Sequence, residues 1–477
     1  MTETLPRATP ESQGVPTAAV RELIRALDGF DFLHGLVLVR HGQVIADVQW
    51  SPFRADAPQH VYSVSKSFTS SAVGFAIAEG LVGLDDRIVD LFPESAPPVV
   101  DERLAALRVR HLLAMSTGHD WDTMDVLFEA GEGDWVAAFL GVPLKFDPGT
   151  EFFYNTGASY VLSAIVQKVS GQRMLDYLKP RLFEPLGIVG ASWFQSPQGV
   201  DAGGFGLSVR TGDIAALGQL YLQRGRWGDR QLLSEEWVDA ATSFQTDNST
   251  FGSTANWKSG YGYQFWLSTH GYRGDGAFGQ YCLVLPEADA VLAITGSLAD
   301  MQVPLYPVWE GLLPAFTDSP LDEDPDAVAG LAADVARLSV PAPGGARVTE
   351  TALRIDAVRY ELAANLHSFQ AVSLRVHEGS TVIALRAGEV EHELVVGYGE
   401  WLRHPLALWP NEGTEFGSRG AWVGEREFRA RVTSTSSPFA IDLSLVFTGD
   451  RTVELTAREH VSFETVVPIV LRGTRVE

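Results

Sequence analysis

The stretch His60-Val61-Tyr62-Ser63-Val64-Ser65-Lys66-Ser67-Phe68-Thr69 constrains this chain more than any other. Residues 68–79 are small and apolar, which predicts a buried helix ended at Glu79-Gly80. Ser63 then falls at or near the helix N-terminus, with Lys66 one turn on. Side chains three apart share a helix face, so hydroxyl and amine can come within hydrogen-bond reach. An amine kept neutral by burial can accept the serine proton. Lysine occurs only at Lys66, Lys145, Lys168, Lys179 and Lys258, and of these Lys66 alone follows a serine by three residues. Arginine, the basic side chain everywhere else, stays protonated and cannot serve as that base. The same pattern could be a surface lysine on an amphipathic helix, but the apolar flanks oppose that reading.

With 477 residues, 45% of them hydrophobic, the chain has the length for two or three domains and ample material for their cores. A formal charge of −24 makes nucleic acid and anionic membrane surfaces poor partners. Met1-Thr2-Glu3-Thr4-Leu5-Pro6-Arg7 has neither a basic nor an apolar signal region, and no apolar run reaches the length of a membrane span. One cysteine, Cys282, excludes an intramolecular disulfide and suits a reducing compartment. The expected location is therefore the cytoplasm. Cys282 lies in the strand-like run Gln280-Tyr281-Cys282-Leu283-Val284-Leu285 and reads as a core thiol, not a nucleophile.

In chain order, 16–30 predicts an amphipathic helix, and 35–40 and 44–50 predict strands turned at His41-Gly42. Helices are expected over 104–115, 159–170, 210–223 and 234–242. Tyr261-Gly262-Tyr263-Gln264-Phe265-Trp266 opens a set of strands that includes 280–286 and 290–296, and 303–315 is a last helix. An acidic, proline-punctuated segment, Thr317-Asp318-Ser319-Pro320-Leu321-Asp322-Glu323-Asp324-Pro325, leads through a short helix over 327–338 to Pro341-Ala342-Pro343-Gly344-Gly345. Beyond it 372–376, 381–385, 391–396, 428–433, 441–447 and 452–455 alternate apolar and polar residues, as an antiparallel sheet or small barrel does. The chain thus divides into a mixed unit over 1–317, a linker over 318–345 and a β domain over 346–477.

Asp147-Pro148-Gly149-Thr150-Glu151-Phe152-Phe153-Tyr154-Asn155-Thr156-Gly157 is the second informative stretch. Its Pro-Gly turn delivers Tyr154 to the start of a helix, where a phenol can relay a proton beside a lysine. A metal site from His119, Asp120 and Asp122 is conceivable, but loop residues this close seldom converge without a distant ligand. Gly274-Asp275-Gly276-Ala277-Phe278-Gly279 formally matches a dinucleotide fingerprint, yet it runs into a strand where that fingerprint must open a helix. A glycine-rich strand entry does allow close backbone approach to a ligand.

Ser-x-x-Lys, a tyrosine after Pro-Gly and a glycine-rich late strand, in this order, resemble the serine β-lactamase/penicillin-binding superfamily. The branch resembled is that of class C β-lactamases, family VIII carboxylesterases and 6-aminohexanoate-dimer hydrolases. His111-Leu112-Leu113-Ala114-Met115-Ser116-Thr117-Gly118 and Gly206-Leu207-Ser208-Val209-Arg210-Thr211-Gly212-Asp213-Ile214-Ala215 are similar to framework segments of that family. The resemblance covers roughly 10–316 and implies an α+β fold, an antiparallel sheet flanked by helices with an all-helical subdomain, ahead of the C-terminal antiparallel β domain. It implies Ser63 as acylated nucleophile, Lys66 as proton acceptor and Tyr154 as general base and acid. The backbone amides of Ser63 and Ala277 would form the oxyanion hole. The family has Tyr-x-Asn where this chain has Tyr154-Asn155-Thr156, so either Asn155 or Thr156 would orient substrate. The family's cation-bearing triplet aligns with Gly274-Asp275-Gly276, which has no cation, and this argues against a penicillin or cephalosporin substrate. Gly276, Phe278 and Trp121 are further substrate-binding candidates, with Phe153, Tyr263 and Trp266 as possible pocket walls.

The leading expectation is a serine hydrolase acting on an ester, amide or short peptide without metal or cofactor, as a carboxylesterase or small-amide hydrolase. A β-lactamase or D-peptidase, and a non-catalytic binding or scaffold protein keeping the fold, are the alternatives. A Ser-His-Asp hydrolase is disfavoured: no Gly-x-Ser-x-Gly elbow occurs, and only His119 and His270 offer themselves as its histidine.

Overall fold

Alternation along the strand Leu33–Arg40 (β1) decides how the N-terminal part is layered. Leu36 and Leu38 enter one buried cluster and Val37 and Val39 another, so both faces of the sheet are covered. The computed structural model describes residues 5–405 and 415–476; the first four residues of the N-terminal reading lie outside them. With β1, the strands Gln43–Gln49 (β2), Trp266–Leu267 (β3), Tyr272–Gly276 (β4), Gln280–Leu285 (β5) and Ala290–Gly296 (β6) form a six-stranded antiparallel sheet in the order β2-β1-β6-β5-β4-β3.

The helix Thr17–Asp28 (α1) packs its stripe of Val20, Leu23, Ile24 and Leu27 on one face. The helices Ser65–Ala78 (α2), Thr156–Ser170 (α3) and Thr211–Leu222 (α4) belong to the cluster on the other. Close approach of α4 depends on Gly218, where a Cβ would stand 2.5 Å from Val291 Cγ1 and 3.0 Å from Cys282 Sγ. Shorter helices (Glu102–Ala106, Val109–Leu113, Trp135–Gly141 and Met174–Leu178 among them) extend this cluster around α3. Residues 104–115 divide into two helices, separated at Leu107-Arg108, where the backbone is extended. The expected helix over 303–315 is present from Leu305 but irregular, passing from an α turn (Leu305–Pro307) through a π turn (Val308–Leu312) to a 3₁₀ turn (Leu313–Ala315), with Pro304, Pro307 and Pro314 removing hydrogen-bond donors.

The acidic segment expected as a linker is held down. Thr317 N donates to Gly14 O at 2.9 Å and Leu321 N to Glu11 O at 2.9 Å. Its helix Pro325–Val335 lies on α1 through Asp334, which accepts from Arg21 at 2.6 Å and Arg25 at 2.9 Å.

The C-terminal unit is a nine-stranded barrel, the closed one of the two forms expected for it, not an open antiparallel sheet. Its ladders are antiparallel except at the seam, where Val390–Gly397 meets Glu415–Gly424 in a parallel bridge from Gly397 to Arg419. Glycine makes that seam possible: a Cβ on Gly420 would lie 2.9 Å from Val396 Cγ1 and 2.4 Å from Arg429 O. Closure removes the unpaired edges an open sheet would present. Side chains alternate, with Phe428, Ala430 and Val432 in the barrel's apolar cluster and Arg429 and Arg431 making ion pairs with Glu427 and Asp442.

Two loops of the barrel reach the other unit beside Ser63. His60 N donates to Ser436 O at 2.7 Å, Ser297 Oγ to Pro438 O, and the His460 ring nitrogen lies 3.0 Å from Ser297 O. Among the described residues no helix is long and apolar enough to cross a membrane.

Candidate active site

Ser63 occupies a 3₁₀ turn, Tyr62–Val64, that runs directly into α2. Tyr62 holds φ +45°, an uncommon conformation for a bulky side chain and one that recurs at functional sites. Three residues on, Lys66 is 1% exposed, and its Nζ donates to Ser63 Oγ at 3.0 Å and to Gly204 O at 2.8 Å. Gly204 can come this close because it has no side chain: a Cβ there would stand 2.7 Å from Thr156 Cγ2. Burial pulls the Lys66 amine down to about 7, against the opposing pull of Asp122 and Asp275. Near neutral pH a large share of the amine is therefore uncharged and has a lone pair for the serine proton.

Tyr154 faces the same pair. Its ring centroid is 4.7 Å from Lys66 Nζ. Burial pushes its phenol well above the ordinary value, a hydrogen bond with Ser63 works against that shift, and Asp275 and Asp122 add to it. The phenol thus keeps its proton at neutral pH. Trp266 stacks on the ring at 5.3 Å, and Phe251 and Tyr261 flank it at 6.4 and 6.3 Å.

The two residues after Tyr154 have different jobs. Asn155 is fully buried as the N-cap of α3; its Oδ1 accepts from Ala158 N at 3.4 Å and from Thr123 Oγ1 at 2.8 Å. Thr156 is the one at the pocket, its Oγ1 3.4 Å from Lys66 Nζ and its backbone N held by Asp122 at 2.8 Å. The Asn155 oxygen is thus taken up by capping and by Thr123.

The end of β4 closes the site from the other side. A Cβ on Gly276 would stand 3.1 Å from Ser63 N and 2.3 Å from Val61 O, so the strand touches the Ser63 backbone only because this residue is glycine. Ala277 follows, partly exposed, and Phe278 turns at φ +65° into β5. The dinucleotide-like glycines therefore serve a turn between antiparallel strands. Asp275 is buried on β4 and paired with Arg273 at 2.9 Å; Arg273 is itself fully buried and donates to Asn256 O at 2.9 Å. The nearby cation is thus committed to the interior.

Trp121 is 44% exposed beside Asp122, at the surface. Phe153 stacks on Phe146 and Tyr263 on Trp237, so of the possible wall residues Trp266 alone joins Tyr154. Phe251, Tyr261, Asp275 and Gly204 were not singled out as site residues; only the glycine and aromatic density around them hinted at a close-packed place. Cys282 is buried and its thiol is pushed up to about 12, which makes it inert. Asp120 pairs with Lys145 and His119 with Thr117, and among the described residues no three metal-ligating side chains gather. His270 rests against Trp309.

Residues 7–302 match the family described as Beta-lactamase. The chain belongs to that family. It is 27% identical over 301 residues to the 6-aminohexanoate-dimer hydrolase of Paenarthrobacter ureafaciens, covering 58% of this chain and 74% of that one. It is 26% identical over 250 residues to a candidate D-alanyl-D-alanine carboxypeptidase of Escherichia coli (strain K12), covering 40% and 57%. It is also 26% identical over 171 residues to Esterase EstB of Burkholderia gladioli, covering 32% and 43%. The chain thus spans little more than half of the carboxypeptidase and under half of the esterase. An octameric penicillin-binding protein homologue from Pyrococcus abyssi shares the fold, with TM-score 0.50 and 15% identity over 95% of this chain and 99% of that one. The family is one of β-lactamase-fold serine hydrolases with esterase, amide-hydrolase and peptidase relatives.

The different placements of Asn155 and Thr156 have a measurable consequence. Asn155→Ala should cost roughly 1–3 kcal/mol of stability through the lost cap and the orphaned Thr123 donors. Thr156→Ala should cost less than about 1 kcal/mol. Denaturant unfolding of both variants reads the difference, and equal losses would contradict this division of roles.

Proposed function

We propose that this chain hydrolyses an ester or small amide through an acyl-enzyme on Ser63. The observation that carries the reading is the 3.0 Å contact between Ser63 Oγ and an amine whose burial brings it down to about 7. Lys66 takes the Ser63 proton as Oγ attacks the substrate carbonyl. The oxyanion is assigned to the amides of Ser63 and of Ala277, the residue after the Gly276 that packs on Ser63 N, a contribution of about 10²–10³ in rate per donor. Tyr154, protonated at neutral pH, gives its proton to the leaving group as the carbonyl–leaving-group bond breaks. The Lys66 ammonium then returns a proton to the phenolate, which leaves both groups neutral for attack by water.

The commitment of Arg273 to Asp275 and Asn256 favours esters and small amides over β-lactams, because no free cation on β4 faces the pocket to meet a substrate carboxylate. Asp122 and Asp275 push both the Lys66 amine and the Tyr154 phenol upward, against the effect of burial at Lys66 and with it at Tyr154.

Two experiments test this reading. Brief exposure to an activated ester should add one acyl mass to the intact protein, and Ser63→Ala should carry none; an unmodified wild-type protein, or an adduct that persists in Ser63→Ala, would return the chain to the non-catalytic reading. Tyr154→Phe should lower kcat on an alkyl ester about 10²–10⁴-fold. Its effect should shrink on a nitrophenyl ester, whose leaving group needs no proton. An equal effect on both esters would remove Tyr154 as the acid.

A further inference from the structure

The barrel reaches the catalytic centre through a second ring cluster, separate from the one around Tyr154. Tyr62, the residue before Ser63, and Phe278, the residue after Ala277, cross edge-to-face at 5.6 Å. From the barrel, Phe439 lies 5.7 Å from Phe278 and 6.4 Å from Tyr62, and Phe463 lies 4.7 and 5.7 Å from the same two rings. Val461 completes the group. Tyr62 and Phe278 both hold positive φ, so the backbone on either side of the candidate oxyanion donors is turned in a way that bulky side chains rarely adopt. Unfavourable backbone at two such places needs a compensating contact, and the rings they present meet the barrel.

Behind those rings the mouth of the barrel is hollow. A cavity of about 290 Å³ is lined by Phe416, Val432 and Ile441 from the barrel wall, by Phe439 and Phe463 from its loops, and by Glu459 at the rim. Phe439 and Phe463 therefore belong both to the cavity and to the cluster around the nucleophile. Phe463 is 70% exposed although its ring touches two others, a side chain held over an opening.

We propose that this cavity is the acyl subsite, taking the apolar acyl chain of the substrate past Tyr62 and Phe278. The proposal rests on the acyl-enzyme reading above. In that reading the leaving group must face the Tyr154 phenol, whose walls are Trp266, Phe251 and Tyr261, and none of these belongs to the Tyr62 cluster. The acyl chain then takes the remaining side, where the barrel stands. The lining selects an aliphatic or aromatic acyl group. Glu459 and its rim neighbour Glu464 disfavour one that ends in a carboxylate.

The test compares kcat/KM for nitrophenyl octanoate and nitrophenyl acetate in the full chain and in two variants. Ile441→Trp fills the cavity from within, and Phe463→Ala removes an exposed ring. The octanoate-to-acetate ratio should fall at least about tenfold in Ile441→Trp, the worth of two buried methylenes, and should also fall in Phe463→Ala. A ratio unchanged within twofold in both variants overturns the subsite, and because it is a ratio, a proportional loss from poor folding counts against the proposal too. Wild-type acetate turnover is read separately; its absence strikes the acyl-enzyme reading and not the cavity. For that case, calorimetry of octanamide binding to Ser63→Ala stands alone. Binding should be seen there and lost when Ile441→Trp is added, whereas no binding, or binding that survives the filled cavity, overturns the proposal.

Discussion

Water is kept away from one primary amine, and much of the molecule serves that exclusion. A lysine ammonium is among the costliest groups to bury, and the usual escape is loss of its proton. At Lys66 that escape leaves an uncharged amine beside a hydroxyl, the arrangement that the proposed chemistry needs. The helix α2 that carries it is buried on nearly every side and sits against α3 and the sheet. Its polar contacts, Ser63 Oγ, Gly204 O and Thr156 Oγ1, are neutral oxygens, so none of them forces the charge back on. Asp122 and Asp275 pull the other way from further off. The balance leaves the amine near neutrality, not fully stripped of its basicity.

Around this centre, glycine decides what may approach. Gly204 lets a carbonyl reach the amine, Gly276 lets β4 touch the Ser63 amide, and Gly274 stands where a Cβ would meet Ser67 Oγ at 2.6 Å. A single added methyl at any of these would separate the pieces. Aromatic side chains fill the rest in two groups, one walling Tyr154 and one joining Tyr62 and Phe278 to the barrel. The barrel is thus an immediate neighbour of the backbone on either side of Ser63 and Ala277, not a distant appendage.

How much of this could be read from the sequence follows from distance along the chain. Ser63 and Lys66 are three residues apart where a 3₁₀ turn runs into α2, and the buried strands 280–286 and 290–296 reveal themselves by unbroken apolar runs, so both were legible. The Tyr154 position was marked by its Pro-Gly turn. The exchange between Asn155 and Thr156 was not, because it depends on Thr123, thirty-two positions away, needing the Asn155 oxygen. Nor could spacing show that Arg273 spends its charge on Asp275, or that Phe251 and Tyr261 flank the phenol. The barrel was half visible: Phe369–Val376 and Ala440–Thr448 alternate clearly, but Glu415–Gly424 is broken by glycines needed at the seam. Closure lies in a pairing between strands distant in sequence, which no local pattern records.

The protonation of Lys66 is the quantity on which everything else rests, and it can be observed on the nitrogen itself. In protein labelled with ¹⁵N at lysine Nζ, the Lys66 resonance, assigned by its loss in Lys66→Met, should titrate with a midpoint near 7. A midpoint for Lys66 at the ordinary lysine value, around 10, would mean a charged amine at neutral pH and no base for Ser63.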